Sequence, residues 1–161
     1  MMSILPKSGF EVLHPSPDQL VVVAHPMYWL LLLTVLSAVV GVYLGVLGLK
    51  KGNNSNLVLG LFLVLAGVFF SSLALSRGQA VFDKANGTVT FDRVGVLFRS
   101  WHSTFPLSEV RNATVQTMGG GSYHFMVIFK NGGVEDIMGS SGASGQYRAA
   151  DAVNEFLGVA R

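Results

Sequence analysis

Two stretches without charge, Met27–Leu49 and Leu57–Leu75, are separated only by Lys50-Lys51-Gly52-Asn53-Asn54-Ser55-Asn56, and together they constrain this chain more than anything else in it. Neither contains Asp, Glu, Lys, Arg or His. As helices rising about 1.5 Å per residue they reach about 34 Å and about 28 Å, the first enough and the second just enough for a hydrocarbon core about 30 Å thick. Lipid supplies no partner for backbone N–H and C=O groups, so both stretches are expected to be helical. A short polar link then makes them antiparallel. The expectation is a membrane hairpin over residues 27–76 with both flanking segments on one side of the bilayer.

Small residues mark one stripe of each predicted helix. Gly41 and Gly45 form a G-x-x-x-G step with Ala38 and Gly48 one turn away, and Gly60, Gly67, Ser71 and Ala74 form the second stripe. Such stripes let helix backbones approach closely. They either face each other, or one of them faces a helix of a partner subunit. Tyr28 and Trp29 open the first span, where amphipathic rings favour the headgroup level, and they read as interface anchors. With no ionisable residue inside either span, no proton relay or ion path is expected, and the lack of His there removes the commonest axial ligand for a bilayer cofactor. The late, long apolar run followed at once by a second span reads as a retained anchor rather than a cleavable leader.

Residues 1–26 hold four of the five prolines, Pro6, Pro15, Pro17 and Pro26, and are expected to be extended. Within them Leu20-Val21-Val22-Val23 favours either an edge strand or a position at the membrane interface. His14-Pro15 and His25-Pro26 lack Cys or well-spaced acids nearby and do not make a metal site.

From Gln79 onward the pattern changes to short alternating runs with turn residues between them, the mark of an antiparallel sheet. Gln79–Asp83 and Thr88–Arg93 flank Lys84-Ala85-Asn86-Gly87, whose Asn-Gly step suits a tight hairpin. Val96–Phe105, Arg111–Met118, Tyr123–Lys130 and Val134–Met138 follow, the third apolar on both faces and therefore expected to be central. Gln146–Leu157 is helical by period, with Ala149, Ala152, Val153 and Phe156 on one face, Ser144 or Gly145 capping its start and Gly158 ending it.

Phe82-Asp83 with Gly87-Thr88-Val89-Thr90, then Pro106-Leu107-Ser108-Glu109-Val110, the Phe125–Gly133 hairpin and Ala149–Leu157, all following a two-helix hairpin, resemble the bacterial pleckstrin-homology-like domains of small membrane proteins. The resemblance covers residues 27–158. It implies an α+β membrane protein: a two-helix transmembrane hairpin, then over residues 77–161 an antiparallel β-barrel or bent sheet capped by a C-terminal α-helix. It implies also a place in the bacterial inner (cytoplasmic) membrane, multi-pass, with both termini and the domain in the cytoplasm. The role implied is that of a non-enzymatic accessory, scaffold or assembly subunit.

The chemistry-bearing residues agree with a non-enzymatic reading. Residues 77–161 hold eight Lys or Arg and seven Asp or Glu with no basic stripe, so nucleic acid is not an expected partner. The chain contains no Cys, which removes thiol nucleophiles and thiolate metal sites. Asp92, His102 and Ser103 are nominal members of a hydrolase triad, but neighbours on a strand point to opposite faces. Gly119-Gly120-Gly121-Ser122 and Gly139–Gly145 lack the Lys-Ser or Lys-Thr ending of a phosphate loop. No catalytic residue, metal or cofactor is expected. Trp101 and His102 are the candidate partner surface, set against the alternative that Trp101 is core. The expected partners are the lipid bilayer and other membrane protein subunits. The competing function is an anionic-lipid sensor using Lys84, Arg93 and Arg99 beside Tyr28 and Trp29, although three scattered cations do not make the phosphate cage that specific phosphoinositide recognition needs.

Overall fold

A computed structural model describes residues 9–26, 28–95, 99–118, 122–137 and 143–159. Two helices dominate its outline. The first, α1 (Tyr28–Lys51), has 24 residues and the second, α2 (Asn54–Ala74), has 21, lengths of about 36 Å and about 31 Å. Both are long and apolar enough to cross a membrane. Their apolar side chains stay largely uncovered, Leu32 at 75%, Leu49 at 72% and Phe62 at 65% exposure, so neither is the core helix of a globule.

The link is tighter than the seven polar residues predicted, because helix continues through Lys50 and Lys51 and resumes at Asn54. Gly52 takes φ +63°, and the Asn53 N–H donates to the Gly48 carbonyl at 2.9 Å, the 6→1 closure that ends a helix on a left-handed residue. Asn53 Oδ1 then accepts the N–H of Ser55 at 3.0 Å and of Asn56 at 3.4 Å, capping α2. Two residues thus end one helix and start the next.

The strands form two antiparallel sheets. One has the order β1 (Gly9–Ser16), β2 (Gln19–His25), β3 (Arg77–Asp83), β4 (Thr88–Val94), β5 (Ser100–Pro106); the other is β6 (Val110–Met118), β7 (Ser122–Phe129), β8 (Val134–Asp136). They do not close into a barrel: among the described residues no ladder joins one sheet to the other. The central position expected of Tyr123–Lys130 is that of β7. The start of the predicted strand Val96–Phe105 lies partly outside the described residues, and the observed strand begins at Ser100.

The N-terminal segment differs most from the sequence reading. Leu20–Val23 belongs to neither an edge strand nor a membrane-interface stretch. β2 runs inside the sheet, Val22 opposite Val12 of β1 and opposite Ala80 of β3. The helical hairpin is therefore an insertion into a β-hairpin: β2 leads into α1, and α2 returns the chain to β3, with Ala24 opposite Gly78 at the point of departure. Only Leu75 and Ser76 separate α2 from β3.

Leu20, Val22, Ala80, Phe82, Val89 and Phe91 from the first sheet meet Val110, Ala113, Phe125, Val127 and Phe129 from the second in one core. The helix α3 (Ala143–Leu157) touches β1 and β2 as well as β6 and β7, so it spans the two sheets. Its buried residues are Gln146, Ala149, Ala150, Val153 and Phe156, whereas the expected Ala152 is only half-buried. Since helix already includes Ala143, Ser144 and Gly145 lie inside its first turn rather than capping it. At the other end Gly158 adopts φ +71°, and the Val159 N–H donates to the Asn154 carbonyl at 2.9 Å.

Candidate functional site

The small-residue stripes of α1 and α2 meet. A Cβ added at Gly60 would lie 2.5 Å from the Gly41 carbonyl oxygen and 2.6 Å from the Gly45 nitrogen, and one added at Gly48 would lie 2.6 Å from the Leu57 nitrogen. A Cβ added at Gly67 would lie 3.2 Å from the Thr34 carbonyl oxygen. Ser37 Oγ donates across the interface to the Leu63 carbonyl at 3.2 Å. Ser71 is half-buried, and its neighbour Ser72 is the more enclosed, donating back to the Phe69 carbonyl at 2.7 Å. Backbone meets backbone here, which leaves the bulky apolar side chains facing outward.

The register divides the five-stranded sheet into an end near the helices and a far end. Arg77, opposite Val94, and Val94, opposite Ser100, lie near the helices, as do His25 and Gly9. Six residues of strand, about 20 Å, separate Arg77 from the far turn. The three cations taken from the sequence as a lipid-binding set are thereby split. Lys84 sits at the far turn with its Nζ 4.3 Å from the centre of the Phe156 ring. Arg93 is near the helices but engaged, its guanidinium bridging to Glu135 and Asp136 on β8, with the Asp136 contact at 3.2 Å. Arg99 is exposed beside Trp101, 5.6 Å from the ring centre. Tyr28 is exposed at the first turn of α1, and Trp29 follows it in the helix.

Trp101 and His102 lie on β5, the outer strand of the sheet. Opposite Arg93, Trp101 shares the inner face with Ser103 and Phe105, yet it lies beyond the core and is 41% exposed. The outer face carries a polar chain: His102 Nδ1 meets Asp92 Oδ1 at 2.6 Å, His102 Nε2 meets Thr104 Oγ1 at 3.4 Å, and Thr104 Oγ1 meets Thr90 Oγ1 at 3.2 Å. Ser103 Oγ is buried on the opposite face without a hydrogen-bond partner among the described residues, so the nominal triad is not assembled. His14 and His25 also stay apart; His25 Nε2 contacts Glu11 Oε2 at 2.8 Å across the β1–β2 pair. No group of three metal-ligating side chains occurs among the described residues. Gly119–Gly121 and Gly139–Gly142 lie outside them.

Sequence reading missed a pocket of about 400 Å³ at the helical end of the sheet, lined by His25, Pro26, Tyr28, Arg77, Gln79, Asp92 and their neighbours. No local signal marks it, because its walls come from segments on either side of the helical hairpin that the β2–β3 pairing joins. The free edges also differ. On β6 the Asn154 side chain pairs with both backbone groups of Ala113, Nδ2 donating to the carbonyl at 2.9 Å and Oδ1 accepting the N–H at 2.8 Å, so α3 occupies that edge. On β5 no ladder covers the outer side among the described residues.

No protein-family model matches the chain, and no curated protein matches it in sequence.

Proposed function

We propose that α1 and α2 cross a bilayer and hold the β-rich domain against its surface as a docking module for other membrane protein subunits, without chemistry of its own. The observation that carries this reading is the insertion of two lipid-compatible helices between adjacent strands of one sheet. A domain tied to a membrane by two strands has a restricted orientation. Confinement raises its effective concentration toward other membrane proteins, so modest contacts suffice. The uncovered edge of β5, with Trp101 exposed beside Arg99, is the surface assigned to the partner. Unpaired edges accept an added strand, and Trp is favoured at the centre of interfaces.

In this reading the domain is pleckstrin-homology-like, supported by antiparallel strands followed by a helix that spans both sheets. The membrane is the bacterial inner membrane and the domain is cytoplasmic: Arg77, Arg93 and Arg99 lie on the domain side against Lys50 and Lys51 at the helical tip, in keeping with the positive-inside bias.

The test is purification from native membranes in mild detergent. The reading predicts that the chain stays in the membrane through an alkaline wash and emerges in a stoichiometric complex that Trp101→Ala weakens at least about tenfold, the cost of losing one interface anchor. A lone monomer under every condition, or a complex indifferent to Trp101→Ala, refutes it. Because the chain has no Cys, single cysteines at Ser55 and Asn131 report sidedness directly with an impermeant thiol reagent.

A further inference from the structure

We infer that the pocket at the helical end of the sheet binds the zwitterionic headgroup of a phospholipid, the phosphate on Arg77 and the ammonium on Asp92. This rests on the reading that α1 and α2 span a bilayer, since that alone brings lipid headgroups to the pocket mouth.

Arg77 and Asp92 belong to neighbouring strands. Gln79 is paired with Asp92, and Arg77 stands two residues earlier on the same outer face, which makes Arg77 and Asp92 diagonal neighbours with backbones about 7–8 Å apart. Both line the pocket, and its volume of about 400 Å³ falls within the range of about 300–1,000 Å³ usual for small-molecule sites. Arg77 is exposed and has no acidic partner among the described residues. Among the described residues Asp92 gives only Oδ1 to His102, which leaves Oδ2 for a second donor. A cation and an anion thus face one cavity without meeting each other.

The choice of ligand follows from charge. A lone anionic group would satisfy Arg77 and leave the Asp92 carboxylate opposed to it. A headgroup carrying phosphate and a primary ammonium two carbons apart answers both, and the ammonium has three N–H donors for Asp92 Oδ2 and the Gln79 side-chain oxygen. Tyr28 and Pro26 also line the pocket, where β2 gives way to α1, and an amphipathic ring such as that of Tyr28 is favoured at the headgroup level.

Native mass spectrometry of the full-length chain in detergent, offered equimolar phosphatidylethanolamine, phosphatidylcholine and phosphatidylglycerol with identical acyl chains, tests this. The expected result is retention of phosphatidylethanolamine about tenfold over phosphatidylglycerol, one factor of ten in affinity. Arg77→Gln removes that retention and Arg77→Lys keeps most of it. Asp92→Asn abolishes the preference between the two lipids. His102→Gln breaks the same Asp92 contact but keeps the carboxylate, so it leaves the preference intact and separates binding from local disruption. Free O-phosphoethanolamine competes. Equal retention of the two lipids by the unaltered chain, indifference to Arg77→Gln, or retention that O-phosphoethanolamine does not displace overturns the inference. Extraction of the chain from membranes by alkaline wash instead overturns the spanning reading on which it stands.

Discussion

Gly45 and Gly60 look equivalent in the sequence, yet alanine at the two positions should have opposite effects. At Gly60 the new Cβ meets the Gly41 carbonyl oxygen at 2.5 Å, the Gly45 nitrogen at 2.6 Å and the Gly45 Cα at 2.9 Å. All three are backbone atoms, so no rotamer change relieves the overlap and the helices must separate by roughly the shortfall from van der Waals contact, nearly 1 Å. Overpacking of this kind costs about 1–3 kcal/mol, and three contacts below 3.0 Å place it toward the upper limit. Separation also stretches the Ser37–Leu63 hydrogen bond past its present 3.2 Å. Bonds of that kind contribute about 0.6 kcal/mol inside membranes. Against this, Ala is favoured over Gly in a helix by up to about 1 kcal/mol. The net expected loss for Gly60→Ala is about 2–3 kcal/mol. At Gly45 an added Cβ meets nothing within 4 Å, so only the propensity gain remains and Gly45→Ala is neutral or stabilising by up to about 1 kcal/mol. The assay is SDS titration of the purified chain in mixed micelles, with helix separation followed by energy transfer between dyes on cysteines introduced at the exposed Leu32 and Phe70. If the midpoints of the two variants give stabilities within about 0.5 kcal/mol of each other, well under the overpacking range, the backbone-contact reasoning fails.

Other outcomes follow from single side chains. Asn53→Ala removes the oxygen that caps α2 and should lower stability in the same titration by about 1 kcal/mol, the usual worth of an N-cap; an unchanged midpoint would show that the link needs no cap. Asn154→Ala leaves both backbone groups of Ala113 without their partner and should cost about 2–3 kcal/mol in thermal unfolding of the full-length chain, whereas Asn154→Asp should be worse because a carboxylate would oppose the Ala113 carbonyl. Asp83 accepts the Asn86 backbone N–H and its side-chain amide, which hold its carboxyl below the ordinary carboxylate range. A depressed folded-state pKa adds stability that is present above the unfolded-state value and lost as pH falls through the folded one, so the β3–β4 turn should weaken in acid. Asn86→Ala should move the Asp83 titration, read by NMR of the carboxyl carbon, back toward the ordinary range.

What the sequence disclosed, and what it withheld, separates by range of interaction. The helical hairpin, the turns at Gly87 and Gly132 and the end of α3 at Gly158 depend on residues within one or two turns of chain, and each has a local mark: an uncharged run or a glycine held at positive φ. Alternation likewise placed β3, β4, β6 and β7 to within two residues. The position of β2 had no such mark. Its hydrophobic run, half-hidden among prolines, left an edge strand and a membrane-interface stretch both open, because its partner β3 lies beyond two whole helices and only the closed fold sets Val22 opposite Ala80. That one nonlocal pairing decides the rest of the candidate site. It carries Lys84 to the far end of the sheet, aligns Arg77 and Asp92 with the helices, and forms the pocket between them. In the same sheet β5 is outermost, and Trp101, for which the sequence left partner surface and core as alternatives, lies on the inner face but past the core and is exposed. Cation count therefore says less about lipid contact in this chain than position along the strand does: two of the three basic residues singled out are held by Phe156 and by Glu135 with Asp136, while Arg77, unremarkable in the sequence, stands at the helical end with no acidic partner among the described residues.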